Sequence, residues 1–239
     1  MNIKGKTAVV TGGGSGFGRG IAAELVRCGA KVIVTGRNAA KLEGAAAEIG
    51  CLPVVADVTC AADWDRVFES AGEVDILVNN AGAGVKIAPL AEQSDVDIVT
   101  SIATNLTGAI LGSKRAAKVM SGRRSGCIVN ISSVCALHAW PGWSVYTAAK
   151  AGLSKFSHAL HCEMRPCGVR VFNVTPSWGQ TDFNMNCGIS GASEDGALAA
   201  KCIAPAEIGR LVCDLIETPD HLAVPDVTLQ PMIQDISPM

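Results

Sequence analysis

Short apolar runs recur along this chain, each followed by a stretch whose apolar positions fall three or four apart. The first run is Lys6-Thr7-Ala8-Val9-Val10-Thr11, and others cover 31–35, 52–56, 74–78, 126–131 and 169–174. Runs this short and this uniformly apolar predict strands buried on both faces. The intervening stretches predict helices. One follows a glycine-rich turn through Ile21–Val26, and others span 39–49, 61–71 and 94–120, the last with a break near Thr100. A further helix is expected over 144–165, ended by Pro166. Pro205 opens another that reaches Glu217, since the first helical turn tolerates a missing N–H. A last short strand is expected at 227–229, and the pattern loosens between Pro176 and Ile203, around Gly188, Gly191 and Gly196.

Strand and helix thus alternate throughout. The expected class is α/β: a doubly wound parallel sheet of about seven strands with right-handed crossovers and helices on both faces. No linker, repeat or low-complexity tract interrupts it, so one domain over 1–239 is expected, with a substrate loop at about 177–203.

Charge and composition narrow the function. The net charge is −2 and the pI about 6.1, so no basic field is present to attract nucleic acid. Mean hydropathy is +0.31, yet no apolar run nears the ~18 residues of a membrane span. The first residues lead directly into the first strand without a signal-peptide pattern, so a cytoplasmic location is expected. The ten cysteines form no C-x-x-C and no zinc spacing with histidine, so they read as reduced, small hydrophobes and no metal is expected.

The single tyrosine, Tyr146, lies four residues before Lys150, which places phenol and ammonium on one helix face. Such a pair also arises by chance in many helices. If it is chemical, the positive charge lowers the phenol's pKa and makes it a proton donor and acceptor. Elsewhere the first strand runs into Thr11-Gly12-Gly13-Gly14-Ser15-Gly16-Phe17-Gly18 and then a helix. Glycines at that junction let backbone approach a pyrophosphate at a helix N-terminus. The second strand ends in Thr35-Gly36-Arg37-Asn38, with no acid for a ribose diol and an arginine able to pair with a 2′-phosphate. NADP(H) is therefore favoured over NAD(H).

These residues give the chain a family likeness over nearly its whole length: it resembles the short-chain dehydrogenase/reductase family. The likeness rests on Thr11-x-x-x-Gly16-x-Gly18, Asp57 after the third strand, and Asn79-Asn80-Ala81-Gly82 after the fourth. Asn105, Ser133, Tyr146 and Lys150 follow in order, Ser133 thirteen residues before Tyr146. On chemistry alone Ser132 rivals Ser133; the spacing favours Ser133.

The resemblance implies a role for each residue. Tyr146 would act as general acid/base, Lys150 would tune it and bind the nicotinamide ribose, and Ser133 would polarise the carbonyl. Asn105 would hold a water behind the lysine. Gly12, Ser15, Gly16, Phe17 and Gly18 would take the pyrophosphate, Arg37 and Asn38 the 2′-phosphate end, and Asp57 and Val58 the adenine. Asn80, Ala81 and Gly82 would line the cleft, with Pro176 and Thr181 at the carboxamide. The family's usual glycine after that proline is Ser177 here, and Gly179 stands where an aliphatic residue is common. The C-terminus lacks the family's frequent Asp-Gly-Gly, and 225–231 resembles the ending of the subgroup that acts on small hydroxy-acid or serine-type substrates.

Substrate is expected between the loops after Ser133 and Thr181, against Cys135, Trp140, Trp143, Trp178 and Met185. That wall suits a partly apolar ketone, aldehyde or alcohol, although tryptophans there could equally pack a core or an interface. The alternatives are a 3-oxoacyl thioester reductase and, in a different class, a nucleotide-sensing protein without turnover. The family likeness also implies a homotetramer, or a homodimer.

Overall fold

The structure, a computed structural model, describes residues 1–82, 84, 86–188 and 196–234. Part of the expected substrate loop, including Gly191, lies outside the described residues. Seven strands form one sheet in the order β3-β2-β1-β4-β5-β6-β7. They are β1 (Thr7–Thr11), β2 (Lys31–Gly36), β3 (Leu52–Val55), β4 (Ile76–Asn79), β5 (Gly126–Ile131), β6 (Val169–Pro176) and β7 (Asp226–Leu229). Every pairing is parallel. The helices are α1 (Gly16–Arg27), α2 (Ala39–Ile49), α3 (Ala61–Ala71), α4 (Asp95–Ile102), α5 (Gly108–Arg123), α6 (Ser144–Met164) and α9 (Pro205–Glu217), with single turns α7 (Phe183–Asn186) and α8 (Gly196–Ala199) before the last.

The two-residue period of each strand splits the core in two. Ala8 and Val10 of β1, Ile76 and Val78 of β4, and Val129 of β5 face α1 and α9, against Ile21, Leu25, Ile208 and Val212. Val9, Leu77 and Ile128 face the other way, against Trp64, Val67 and Met120. This is why the runs read as uniformly apolar: both faces of the sheet are covered. On the first face α1 and α9 lie close enough that a Cβ on Gly20 would sit 2.1 Å from the Pro205 carbonyl oxygen.

Two boundaries differ from the sequence expectation. The helix expected over 94–120 breaks three residues later than Thr100, in a π-turn over Ala103–Thr107 between α4 and α5. And α1 starts at Gly16, several residues before the first apolar position that marked it in the sequence. The combined stretch Asp95–Arg123 is long and apolar enough by composition to cross a membrane. It is interrupted by the π-turn, packs on α6 and α3, and carries Arg115 and Arg123, paired with Asp65 and Glu73.

The chain passes from β3 across β1 to β4, so the crossovers reverse direction between β1 and β4. In open parallel sheets the crevice at such a reversal, beyond the strands' C-terminal ends, is where ligands bind.

Candidate active site

A cleft of about 720 Å³ opens at that reversal, lined by the C-terminal ends of β1, β4, β5 and β6 and the loops after them. Its floor is the glycine turn. Gly16 has φ +52°, a left-handed conformation that other residues rarely adopt. A Cβ on Gly18 would lie 2.3 Å from the Gly12 carbonyl oxygen, so only glycine lets the turn close on itself there. Ser15 precedes α1 but makes no side-chain cap, and the helix's first turn carries no acid. The first amides of α1 are therefore open to an anion, as a pyrophosphate site requires.

Thr11 holds this turn against β4. Its hydroxyl accepts from Asn80 and Ala81 backbone N–H groups, both at 2.9 Å, and donates to the Val78 carbonyl. The Asn80 side chain donates back to the Thr11 carbonyl at 2.9 Å. Below it, Asn79 donates to Ser113 (2.9 Å) and Asn130 (2.8 Å), and Asn130 donates to Ser157 (2.8 Å). This buried chain pins β4 and β5 to α5 and α6. Asn79 and Asn130 lie within apolar strands, and Ser113 and Ser157 lie on the helices packed against them.

The end of β5 places the reacting groups. Ser133 hydrogen-bonds the Tyr146 phenol and accepts from the Cys135 N–H at 3.2 Å. Ser132 turns the other way: its hydroxyl meets Ser154 at 2.7 Å and donates to the Lys150 carbonyl at 3.2 Å. Both serines line the cleft, but their hydroxyls have different partners: Ser132 is engaged with α6, and Ser133 faces the phenol. The Tyr146 ring packs edge-on to Trp143, centroids 5.7 Å apart, and at 5.2 Å from Phe183. The Lys150 ammonium lies 5.8 Å from the Tyr146 ring centroid and donates to the Ile131 carbonyl at 2.9 Å.

Here one expectation is corrected. The sequence reading has Lys150 lowering the phenol's pKa. In the structure burial pushes the Tyr146 phenol up, with Cys135 adding to the rise and the Ser133 hydrogen bond opposing it. Burial also lowers the Lys150 ammonium, to about 8. Desolvation is the largest cause for both because both groups sit inside the wall.

A family model described as short chain dehydrogenase matches residues 6–189. The chain belongs to the short-chain dehydrogenase family. A serine 3-dehydrogenase of Agrobacterium fabrum is 31% identical over 97% of this chain and 96% of its own length. Among solved structures, the closed form of serine dehydrogenase complexed with NADP+ superposes with a TM-score of 0.88 at 28% identity, covering 98% of both chains. A 3-ketoacyl-(acyl-carrier-protein) reductase from Brucella melitensis complexed with NADH gives 0.87 at 27% identity, covering 96% of this chain and 98% of that one.

Against this short-chain dehydrogenase frame, most candidate residues converge. Gly12, Ser15, Gly16, Phe17, Asn80, Ala81 and Gly82 line the cleft on one side, and Cys135, Trp140, Trp143, Trp178, Pro176 and Thr181 on the other. Thr181 faces Gly16 directly, its Cγ2 3.2 Å from where a Cβ would stand. Gly179 is explained as well: a Cβ there would lie 2.2 Å from the Phe17 ring, so the aliphatic residue common in the family would displace Phe17.

Others lie outside the cleft wall. Met185 is 63% exposed and does not line it, a correction to the substrate list, because the single turn of α7 points it to solvent. Gly18 packs beneath the turn. Asn38 caps α2 through the Lys41 N–H at 2.9 Å, and Arg37 beside it is exposed at the end of β2. The Asp57 carboxylate accepts from the Thr59 N–H and hydroxyl, and the Val58 carbonyl accepts from the Trp64 indole. Asn105 is buried in the π-turn, donates to the Ser101 carbonyl at 3.0 Å, and lies against Gly82, where a Cβ would be 2.9 Å from its Oδ1.

Proposed function

We propose that this chain is an NADP(H)-dependent oxidoreductase that interconverts a ketone or aldehyde and the corresponding alcohol. The observation that carries the reading is the meeting of Ser133, Tyr146 and Lys150 in a cleft that also opens onto the uncapped start of α1. The nicotinamide cofactor, when bound, supplies or takes the hydride. The chain's own part is the proton and the orientation. Ser133 holds the substrate oxygen, and Tyr146 gives that oxygen a proton or takes one from it. Lys150 anchors the cofactor ribose, and Asn105 supports a water behind the lysine.

The choice of NADP(H) rests on Arg37 at the end of β2 and the absence of an acid between Thr35 and Asn38. The NADP+ complex of serine dehydrogenase agrees with it, whereas the Brucella reductase was bound to NADH. Asp57 and Val58 would flank the adenine through their backbone.

The same site could serve a 3-oxoacyl thioester reductase or a dehydrogenase of serine-type hydroxy acids, as in those relatives. Among the described residues, Lys150 and Asp182 are the charged ones lining the cleft, which gives an anionic substrate group little to pair with there. A neutral, partly apolar substrate fits better. A nucleotide sensor without turnover would have no need of both Tyr146 and Lys150.

We further propose one catalytic domain over 1–239, a cytoplasmic location and a homotetramer. Val96 (74% exposed) and Val99 (66%) give the outer face of α4 an apolar strip suited to subunit packing. The functional test is a panel of ketones and alcohols assayed with NADP(H) and NAD(H). Turnover that favours NADP(H) supports the reading, and no turnover with either cofactor would overturn it.

A further inference from the structure

The departure at Ser177 has a partner at the other end of the chain. Ser177 donates from its hydroxyl to Oε1 of Gln234, and the Trp178 N–H reaches the same oxygen at 3.4 Å. Because a backbone N–H can only donate, this contact fixes which end of the amide is oxygen. Gln234 is itself held in place: its N–H donates to the Pro231 carbonyl at 3.0 Å, and its carbonyl accepts from the Gln230 side chain at 2.6 Å. It is 8% exposed and lines the cleft with Trp178 and Ser177. Its Nε2 has no protein acceptor among the described residues. Both of its N–H donors are therefore free to meet an acceptor on the occupant of the cleft.

The charge of that occupant is constrained. Lys150 gives one N–H to the Ile131 carbonyl and, on the reductase reading, its others to the cofactor ribose, and Asp182 pairs with Lys41 at 3.3 Å. Trp178 adjoins Gln234, and Trp140 and Trp143 add further apolar lining to the same cleft. Resting on the reductase reading above, we infer that Gln234 is a specificity-determining residue. Its Nε2 donates to a second oxygen of the substrate, beyond the one that reacts. The substrate class is then a neutral carbonyl compound or alcohol bearing an ester, amide, keto or hydroxyl oxygen. Ser177 replaces the family's glycine because its hydroxyl holds the glutamine amide in that orientation.

The test compares ethyl 3-oxobutanoate with 2-heptanone, chains of equal length that differ in the two ester oxygens, with NADPH as reductant. The wild-type kcat/KM ratio should favour the oxo ester. Gln234→Leu should lower that ratio about tenfold, chiefly through KM, as expected for one lost hydrogen bond in a buried site. Gln234→Glu keeps the shape and the bonds from Ser177 and Trp178 but removes the donors, so it should lower the ratio equally even if the leucine variant folds poorly. An unchanged ratio in Gln234→Glu, with the wild type active, overturns the inference and leaves the reductase reading intact. A weaker NADPH Kd with an unchanged ratio would assign Gln234 to the cofactor and also overturn it. A wild type that reduces neither compound overturns both.

Discussion

The Lys150 ammonium donates to the Ile131 carbonyl at 2.9 Å from a position only 4% exposed, so a cation is held inside the wall by a backbone dipole. Its pKa falls from the ordinary 10.5 to about 8 because burial penalises the charge. Between those values the unfolded chain binds more protons than the folded one, so this residue makes stability rise with pH. Lys150→Met should therefore gain most over wild type below pH 8, on the order of 3 kcal/mol of electrostatic relief. The gain should shrink steadily towards pH 10. Thermal melts of both proteins at pH 7, 8, 9 and 10 would show it; a difference independent of pH contradicts the buried cation.

The two neighbouring serines should separate stability from chemistry. Ser133→Ala removes a hydroxyl from the cleft wall and should lower kcat by about 10²-fold with the melting temperature nearly unchanged. Ser132→Ala breaks the contact with Ser154 inside the protein and should cost about 1–2 kcal/mol of stability with a smaller effect on kcat. Denaturant melts beside steady-state rates decide it, and a reversed pattern would hand the catalytic role to Ser132.

Tyr146→Phe removes the proton while leaving the ring against Trp143 and Phe183. Turnover should drop by at least about 10²-fold in either direction, since the general acid and base are one group. Cofactor affinity, read by quenching of protein fluorescence, should stay within about threefold. Substantial residual activity would remove the tyrosine from the proton path.

The sheet was legible because Val9, Leu77 and Ile128 alternate with neighbours that are equally apolar, as a strand covered on both faces demands. The start of α1 was not legible: glycines are poor helix formers, so the apolar pattern began only at Ile21, while the fold places Gly16 and Gly18 in the first turn. Spacing favours Ser133, whereas the contacts that engage Ser132, with Ser154 and the Lys150 carbonyl, lie on α6 and are not visible in the local sequence. The buried chain through Asn79, Ser113, Asn130 and Ser157 joins residues from four elements, and no local pattern shows it. The phenol's raised pKa was missed for a related reason. A charge four residues away can be read from sequence, whereas burial depends on Trp143, Phe183 and the loops that close over them. Gln234 illustrates the same limit, since its partner Ser177 lies 57 residues earlier, just after β6.

Arg37 tests the cofactor choice. It is exposed at the end of β2, and its neighbour Asn38 is already engaged in capping α2. A guanidinium there can take a 2′-phosphate in a bidentate grip, and a carboxylate would repel the phosphate but accept ribose hydroxyls. Arg37→Asp should raise the KM for NADPH by about 10²-fold, a loss on the order of 2–3 kcal/mol for a charge-assisted pair. The KM for NADH should stay level or fall, and kcat should change little because the residue lies far from Tyr146. Paired titrations with both cofactors measure this directly, and equal losses for the two would place the 2′-phosphate elsewhere.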